Sequence, residues 1–413
     1  MPSFKAWRAQ FNLPLKFWLV AAIAFINSVS FTIIIPTLYP YAKQFGLSDF
    51  HASLLITSYA ISQFIATPIL GRLSDFLGRK PLLVVSLFGT VIANLLASVA
   101  PVAALLFLAR ILDGLTGGNM SIARAVISDS TRPEQRAHAF GLFDAAFRLG
   151  FVTGPAIAYF AQQLPPLPGV SSLGMSFLAG AAIALVATLL SAIWLPETLA
   201  EREPLRLSWQ MFGFGRLVRS LGRPRLGRIY LMTFLSGFTF TIFTFAFQPF
   251  FLNVLNQEAP MVAAVFVIVG VAGVLTQLLA VGPLTKRFNL VDILAVAIAL
   301  RALIFFCIPL FPFLWAFLLG SILLGIANTF PLPLLNALLS VNSGEREQGE
   351  VLGINASYLS ISNALGPAIA GLLVSLSYST PFWVTSVLTL LTAGFALRLK
   401  SSLADPEPTS VRE

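Results

Sequence analysis

Gly71-Arg72-Leu73-Ser74-Asp75-Phe76-Leu77-Gly78-Arg79-Lys80-Pro81 sets one acid among three cations between two long apolar runs, 51–71 and 82–100. Each run holds the ~20 predominantly apolar residues that a bilayer-spanning helix needs. The polar stretch between them reads as a short turn joining two spans. Outward from this turn the same alternation fills the chain. Of 413 residues, 57% are hydrophobic and 10% charged, where soluble domains carry about 25% charged residues. That excludes a soluble fold and leaves an all-α integral membrane protein. The net charge of +9 speaks first of loop orientation in such a chain, not of a nucleic-acid partner. A lone cysteine, Cys307, excludes a disulfide framework or a thiolate metal cluster, and His51 and His138 have no clustered partners. No lysine stands in a P-loop pattern, so ATP hydrolysis is not expected and no cofactor is implied.

Apolar runs and turn residues predict twelve helices, at 16–42, 51–71, 82–100, 103–128, 137–163, 173–195, 228–253, 261–285, 291–310, 313–340, 347–377 and 380–399. The first lacks a small-residue cleavage site before Lys43 and is expected to stay in the membrane. Short loops rich in Lys and Arg remain cytoplasmic. With the N-terminus inside, 21 of the 26 cations lie inside, Lys43 alone lies in an outer loop, and Arg110, Arg124, Arg148 and Arg301 fall within spans. Both termini are then cytoplasmic and the protein sits in the plasma (inner) membrane, as a monomer. One long connection divides the spans six and six. This gives an N-terminal bundle over 1–195, a linker over 196–227, a C-terminal bundle over 228–399 and a tail over 400–413. Within the linker, Leu205 to Leu221 interleaves Trp209, Met211, Phe212 and Phe214 with Arg206, Arg216 and Arg219. It reads either as a helix lying in the anionic inner interface or as a solvated linker.

The halves are also duplicated. Gly154-Pro155-Ala156-Ile157-Ala158 recurs as Gly366-Pro367-Ala368-Ile369-Ala370, an offset of 212, with Gly141 over Gly353. Gly71 and Leu73 sit over Gly282 and Leu284, an offset of 211. Two anchors agreeing within one residue indicate a pseudo-symmetric pair of six-helix bundles, an arrangement that many secondary transporters use for alternating access.

With Gly71, Asp75, Gly78, Arg79 and Lys80 matching its hallmark loop G-x-x-x-D-x-x-G-R-K/R, the chain resembles the major facilitator superfamily. Arg110-Ile111-Leu112-Asp113-Gly114 is similar to the R-x-x-Q/D-G stretch of its proton-coupled members. Gly141, Gly150, Gly154 and Pro155 match the G-x8-G-x3-G-P pattern of its antiporters. With Asp129-Ser130-Thr131-Arg132-Pro133-Glu134-Gln135-Arg136 and Leu195-Pro196-Glu197-Thr198, the whole resembles the twelve-span drug:proton antiporter branch, especially tetracycline-efflux-like proteins. The resemblance implies that Asp75, Arg79 and Asp129 form a cluster that latches the outward-facing state. Departures are present as well. The first helix offers Asn27 but no acid, Lys286 stands where the repeat would place a counterpart of Asp75, and Arg148 occupies a position where relatives carry a small residue.

The spans hold four arginines and two acids, Asp113 and Asp144. A charge at mid-membrane is costly, so these residues should face protein or water. At about 1.5 Å of rise per residue, depth matches Arg124 with Asp144 and Arg148 with Asp113. Steps of 3, 11 and 14 residues bring Arg110, Asp113 and Arg124 within about 60° on one helix face. Asp113 is the first proton-carrying candidate, with Arg148 or Arg110 tuning it, and Asp144 is the second. Fixed ion pairs are the alternative. Substrate-cavity candidates are Asn27, Arg124, Gln248, Gln277, Arg301, Asn328, Asn355 and Tyr358. Arg301 is either a cavity cation or a partner for a backbone carbonyl. Scattered polar groups among the phenylalanines of 228–253 suit bulky amphipathic substrates. The expected function is proton-coupled efflux of small amphipathic compounds or drugs. A facilitator or symporter of an organic anion is the rival within the class, and a non-transporting receptor or intramembrane enzyme the rival outside it.

Overall fold

The computed structural model describes residues 13–202, 204–205, 212–344 and 347–404, and all elements among them are helices. A bilayer offers the backbone no hydrogen-bond partner, so a chain this apolar satisfies its amides inside helices. Twelve rods follow one another: α1 (Leu15–Gln44), α2 (Asp49–Leu77), α3 (Arg79–Ser98), α4 (Ala103–Thr116, continued by Asn119–Ser130), α5 (Pro133–Gln163), α6 (Gly174–Trp194), α7 (Leu226–Asn253), α8 (Ala259–Arg287), α9 (Leu290–Leu310), α10 (Leu314–Val341), α11 (Gln348–Leu376) and α12 (Thr380–Ala404). Ten are long and apolar enough to cross a membrane. The other two, α4 and α5, carry Arg110, Asp113, Arg124, Asp144 and Arg148.

The turn expected over residues 71–81 is a single residue. α2 continues to Leu77 and α3 starts at Arg79, because no residue between Gly71 and Leu77 breaks a helix. Ser74 even donates its hydroxyl to the Gly71 carbonyl at 2.7 Å. Gly78 makes the reversal with φ +113°, a region that side-chain-bearing residues rarely enter. Gly71 needs no such licence, since an added Cβ there would meet nothing within 4 Å.

Several rods are interrupted, and the interruptions obey the repeat. α4 breaks at Gly117 and Gly118, while α10 breaks at Thr329 and Phe330 just ahead of Pro331. These sites are 212 residues apart, so one kink is made by glycines and its counterpart by a proline that cannot donate to the preceding turn. α8 contains a π-turn at Gln277–Val281 before it resumes at Gly282.

The described chain forms two compact units, one running to Phe212 and including Glu258–Val267, the other comprising Gly213–Gln257 and the residues from Ile268 onward. In the first unit α1 packs on α5, α2 on α4 and α3 on α6. In the second, α7 packs on α11 and α9 on α12. The repeat is written into these contacts. A Cβ on Gly154 would run into Thr32 and the Ile33 amide, and one on Gly366 would run into Thr241 and the Phe238 carbonyl. Thr32 donates to the Gly150 carbonyl at 2.7 Å, and Thr241 to the Ser362 carbonyl at 3.1 Å. In lipid, small residues and hydroxyls of this kind hold helices together by close packing, not by hydrophobic exclusion. Phe17, Ile23, Leu87, Val126 and Phe143 centre the first core, and Tyr230, Ile298, Leu334 and Leu339 the second.

The second unit begins with a short linker helix, Phe214–Leu221, ahead of α7 in the chain. Leu217 and Ser220 are buried beneath it, whereas Phe214, Val218 and Leu221 are exposed along one stripe. The residues Arg206, Trp209 and Met211, which entered the expectation of an interfacial helix, lie outside the described residues.

Candidate functional site

The charged residues singled out in the sequence fall into three clusters in the first unit. At the junction of α2 and α3, Arg79 reaches Asp75 at 2.5 Å, Ser74 at 2.6 Å and, through Nε, Asp129 at the end of α4 at 3.0 Å. One guanidinium thus ties the ends of three helices, using its fork of donors as an ammonium cannot. Glu197, just past α6, accepts the amides of Arg79, Lys80, Thr198 and Leu199. Although burial works against the charged carboxyl, these four N–H donors hold it below the usual carboxylate range. Lys80 enters the cluster through this backbone bond.

Deeper in the bundle, Arg110 and Asp113 form a 2.8 Å ion pair with both residues about 5% exposed or less. The Arg110 guanidinium lies 4.4 Å from the centre of the Tyr59 ring, and its Nε has no hydrogen-bond partner among the described residues. The side chain of Thr90 on α3 also interacts with the Asp113 carboxylate. Gln63 bridges the Tyr59 hydroxyl, at 2.9 Å, to the Gly117 carbonyl freed by the break in α4, at 3.0 Å. The expected Arg148–Asp113 pair is not formed. Of the two arginines expected to tune Asp113, the one that meets the carboxylate is Arg110, one turn away on the same helix.

Arg124 and Asp144 pair at 2.8 Å, both about half exposed. Arg124 does not share the face of Arg110 and Asp113, contrary to the continuous count at 3.6 residues per turn. The break at Gly117 and Gly118 resets the helical phase, so buried and exposed charges part company. Arg148 is exposed and has no carboxylate partner among the described residues.

The α5 glycines divide. Gly150 would collide with Ser28 if it bore a Cβ, as Gly154 would with Thr32, and Pro155 sits inside the helix beside them. Gly141 faces open space, as does its counterpart Gly353. Close approach therefore explains Gly150 and Gly154 and not Gly141. Asn27 is buried on α1, where it accepts from Asn119 at 3.0 Å and lines a cavity of ≈ 10 Å³ with Leu83 and Leu87.

In the second unit Arg301 is 1% exposed. It donates to the Ser236 hydroxyl at 2.8 Å, the Ser236 carbonyl at 3.0 Å and Thr239 at 3.2 Å, with Phe240 and Phe305 beside it. Of its two expected roles, the structure gives the carbonyl partner. Asn355 is buried and donates to Asn336 at 2.8 Å, at positions 212 residues beyond Phe143 and Arg124, which themselves meet ring to cation. Gln248 is buried on α7, Gln277 opens the π-turn of α8, and Asn328 ends the first half of α10. Tyr358 is buried on α11. Its hydroxyl donates to the Leu217 carbonyl at 2.8 Å, lies 3.1 Å from Ser220 and is stacked on Tyr230, so it fastens the linker helix.

Sequence reasoning missed Glu197 as a helix cap and Tyr59 with Gln63 as the seat of the buried pair. The signal for the first was present in an acid directly after a helix-ending Leu-Pro. The second had none, since an aromatic and an amide one turn apart occur on many spans.

Twelve helical rods among the described residues, duplicated by halves and carrying charges at mid-span, have the architecture of a multi-pass membrane transporter. The sequence profile of the Major Facilitator Superfamily matches residues 20–226 and 229–413, and the chain belongs to that family. It is 29% identical over 360 residues to the tetracycline resistance protein, class C, of Escherichia coli, covering 86% of this chain and 88% of the relative. Multidrug resistance protein 2 of Bacillus subtilis is 26% identical over 384 residues, covering 92% and 94% respectively. Among solved structures, a bacterial homolog of the human lysosomal transporter Spinster superposes with a TM-score of 0.76 at 16% identity, covering 96% of this chain and 98% of that one.

Proposed function

We propose that this transporter exports small amphipathic organic compounds in exchange for protons, by alternating access. The observation that carries the reading is the buried Arg110–Asp113 pair, 2.8 Å apart and sealed by Tyr59. A carboxylate in a dry bundle stays ionised only while its cation stays with it. A turn of the Arg110 side chain that draws its guanidinium off the carboxylate leaves Asp113 to take a proton, which returns when the pair reforms. Asp144, half exposed and already paired, is the second candidate for the same work. The names of the relatives, tetracycline and multidrug resistance proteins, support drugs as the substrate class.

In this reading the Asp75–Arg79–Asp129 cluster, with Gly71, Gly78 and Lys80 at the same junction, is a latch broken and remade in each cycle. The positive-inside distribution of arginines supports cytoplasmic termini in an inner membrane. The linker helix fits the anionic interface through its exposed Phe214, Val218 and Leu221 beside Arg216 and Arg219. The bundles run from 1–195 and 228–399, and the protein works as a monomer.

The test uses the full chain in proteoliposomes with tetracycline as the first compound. Wild type should move it against its gradient when a pH difference is imposed. Asp113→Asn should lose that driven transport while keeping tracer exchange at equal concentrations. If Asp113→Asn and Asp144→Asn both keep proton-driven accumulation, the coupling assignment is wrong.

A further inference from the structure

We infer that the first unit carries a binding face for aromatic carboxylates, built from Arg148 and the phenylalanines beside it on α5. This inference rests on the export reading and names a substrate class for it. Arg148 lies 15 residues into a 31-residue helix, or about 22 Å from its start. It is exposed there, with no carboxylate partner among the described residues. A guanidinium at that depth is not tolerated against lipid, so the face it occupies is a wetted one. Asp144, one turn earlier, cannot neutralise it, because that carboxylate is held by Arg124 at 2.8 Å. The stripe therefore reads plus, minus, plus, and the last charge is open.

What surrounds the open charge is aromatic. Phe151, three residues on and within about 60° of Arg148 around the helix, is 42% exposed. Its ring meets Phe147 at 5.5 Å and Phe31 at 6.4 Å, and Phe31 meets Tyr59 at 5.6 Å. A flat ring laid on Phe151 places a carboxylate attached to it within reach of the Arg148 fork, whose two parallel N–H groups match that anion. The chain of rings then ends at Tyr59, under the guanidinium of Arg110. Occupancy of the face is thus one aromatic contact series away from the buried ion pair. The second unit has no equivalent, since position 360, offset by 212, is a serine.

The experiment measures equilibrium binding of 1-naphthoate and of its uncharged analogue 1-naphthamide to the purified full chain. Wild type should prefer the carboxylate by about tenfold, the scale of one charge-assisted bidentate contact. Arg148→Gln should abolish the preference by weakening naphthoate alone, Arg148→Lys should keep part of it, and Phe151→Ala should weaken both probes. Because Arg148 has no partner to lose, its variants should melt at the wild-type temperature. No preference in wild type, or equal weakening of both probes by Arg148→Gln, overturns the inference. A preference that Arg148→Gln erases, alongside tetracycline that no pH gradient drives across proteoliposomes, upholds the face and overturns the export reading.

Discussion

The carboxylate of Glu197 accepts the backbone N–H of Arg79 at 3.0 Å, so the exit of α6 caps the start of α3. The equivalent end of α9 is capped from within, by the Asn289 side chain accepting from Val291 at 2.8 Å. Both meet the same need, because the first amides of a helix have no partner in their own helix. Only the first unit recruits a different helix to do it, and that helix is thereby joined to the residue that holds Asp75 and Asp129.

The carboxyl of Glu197 is held below the usual range, so its contribution is present above that range and is lost as pH falls through the lowered value. Glu197→Gln should cost about 0.5–2 kcal/mol, the ordinary scale of an N-cap. It should therefore melt about one to two degrees lower than wild type at pH 7. The gap should close in acid, once the pH has fallen through that lowered value and wild type is protonated as well. Melting curves of the purified protein at the two pH values give the answer, and a gap that persists undiminished in acid counts against the cap.

Arg79→Lys keeps the charge but cannot bridge Ser74, Asp75 and Asp129 at once. Transport should fall roughly tenfold or more, by the loss of a contact worth about 1.5–3 kcal/mol. In a double-mutant cycle, Asp75→Asn and Asp129→Asn should each cost far less in the Arg79→Lys background than in wild type. Simple additivity would mean that the three side chains act separately.

The fold was legible in the sequence because its determinants are local. Long apolar runs name the helices, and the 212-residue offset that pairs Gly154 with Gly366 also pairs the α4 and α10 breaks. The site was legible only in part. Asp75, Arg79 and Asp129 lie in a motif, and the structure brings them together. Arg110 and Asp113 were legible as charges on one face, with Arg110 one of two arginines that could tune the acid, but the parting of Arg124 from that face was not, since helical periodicity fails to cross two consecutive glycines. Tyr358 was taken for a cavity residue because its partner, the carbonyl of Leu217, is a backbone atom 141 positions away that leaves no mark in side-chain chemistry.

The motif glycines should separate by packing. Gly154→Ala and Gly366→Ala force a methyl onto Thr32 and Thr241, and each should destabilise by about 1–3 kcal/mol, as overpacking does. Gly141→Ala and Gly353→Ala open onto free space and should leave melting unchanged or slightly raised. Thermal unfolding of the four variants side by side tests this, and equal losses at all four positions would show that helix propensity, not contact, sets their identity.

The linker helix offers a clean local measurement, because one tyrosine hydroxyl fastens it beside the burial of Leu217. Tyr358→Phe deletes the hydrogen bond to Leu217 and the contact with Ser220 while keeping the ring stacked on Tyr230. A hydrogen bond of this kind contributes about 1 kcal/mol net, so the undocked population should rise about fivefold. Arg216 and Arg219 on that helix are trypsin sites, and cleavage there follows the population of the open form when opening is fast. Limited trypsin digestion of purified Tyr358→Phe should accordingly cut within Phe214–Leu221 about fivefold faster than wild type, with cleavage elsewhere unchanged. Ser220→Ala should give a smaller increase, since the Leu217 carbonyl still receives the tyrosine proton. Cleavage at the wild-type rate in both variants would place the hold in the burial of Leu217 alone.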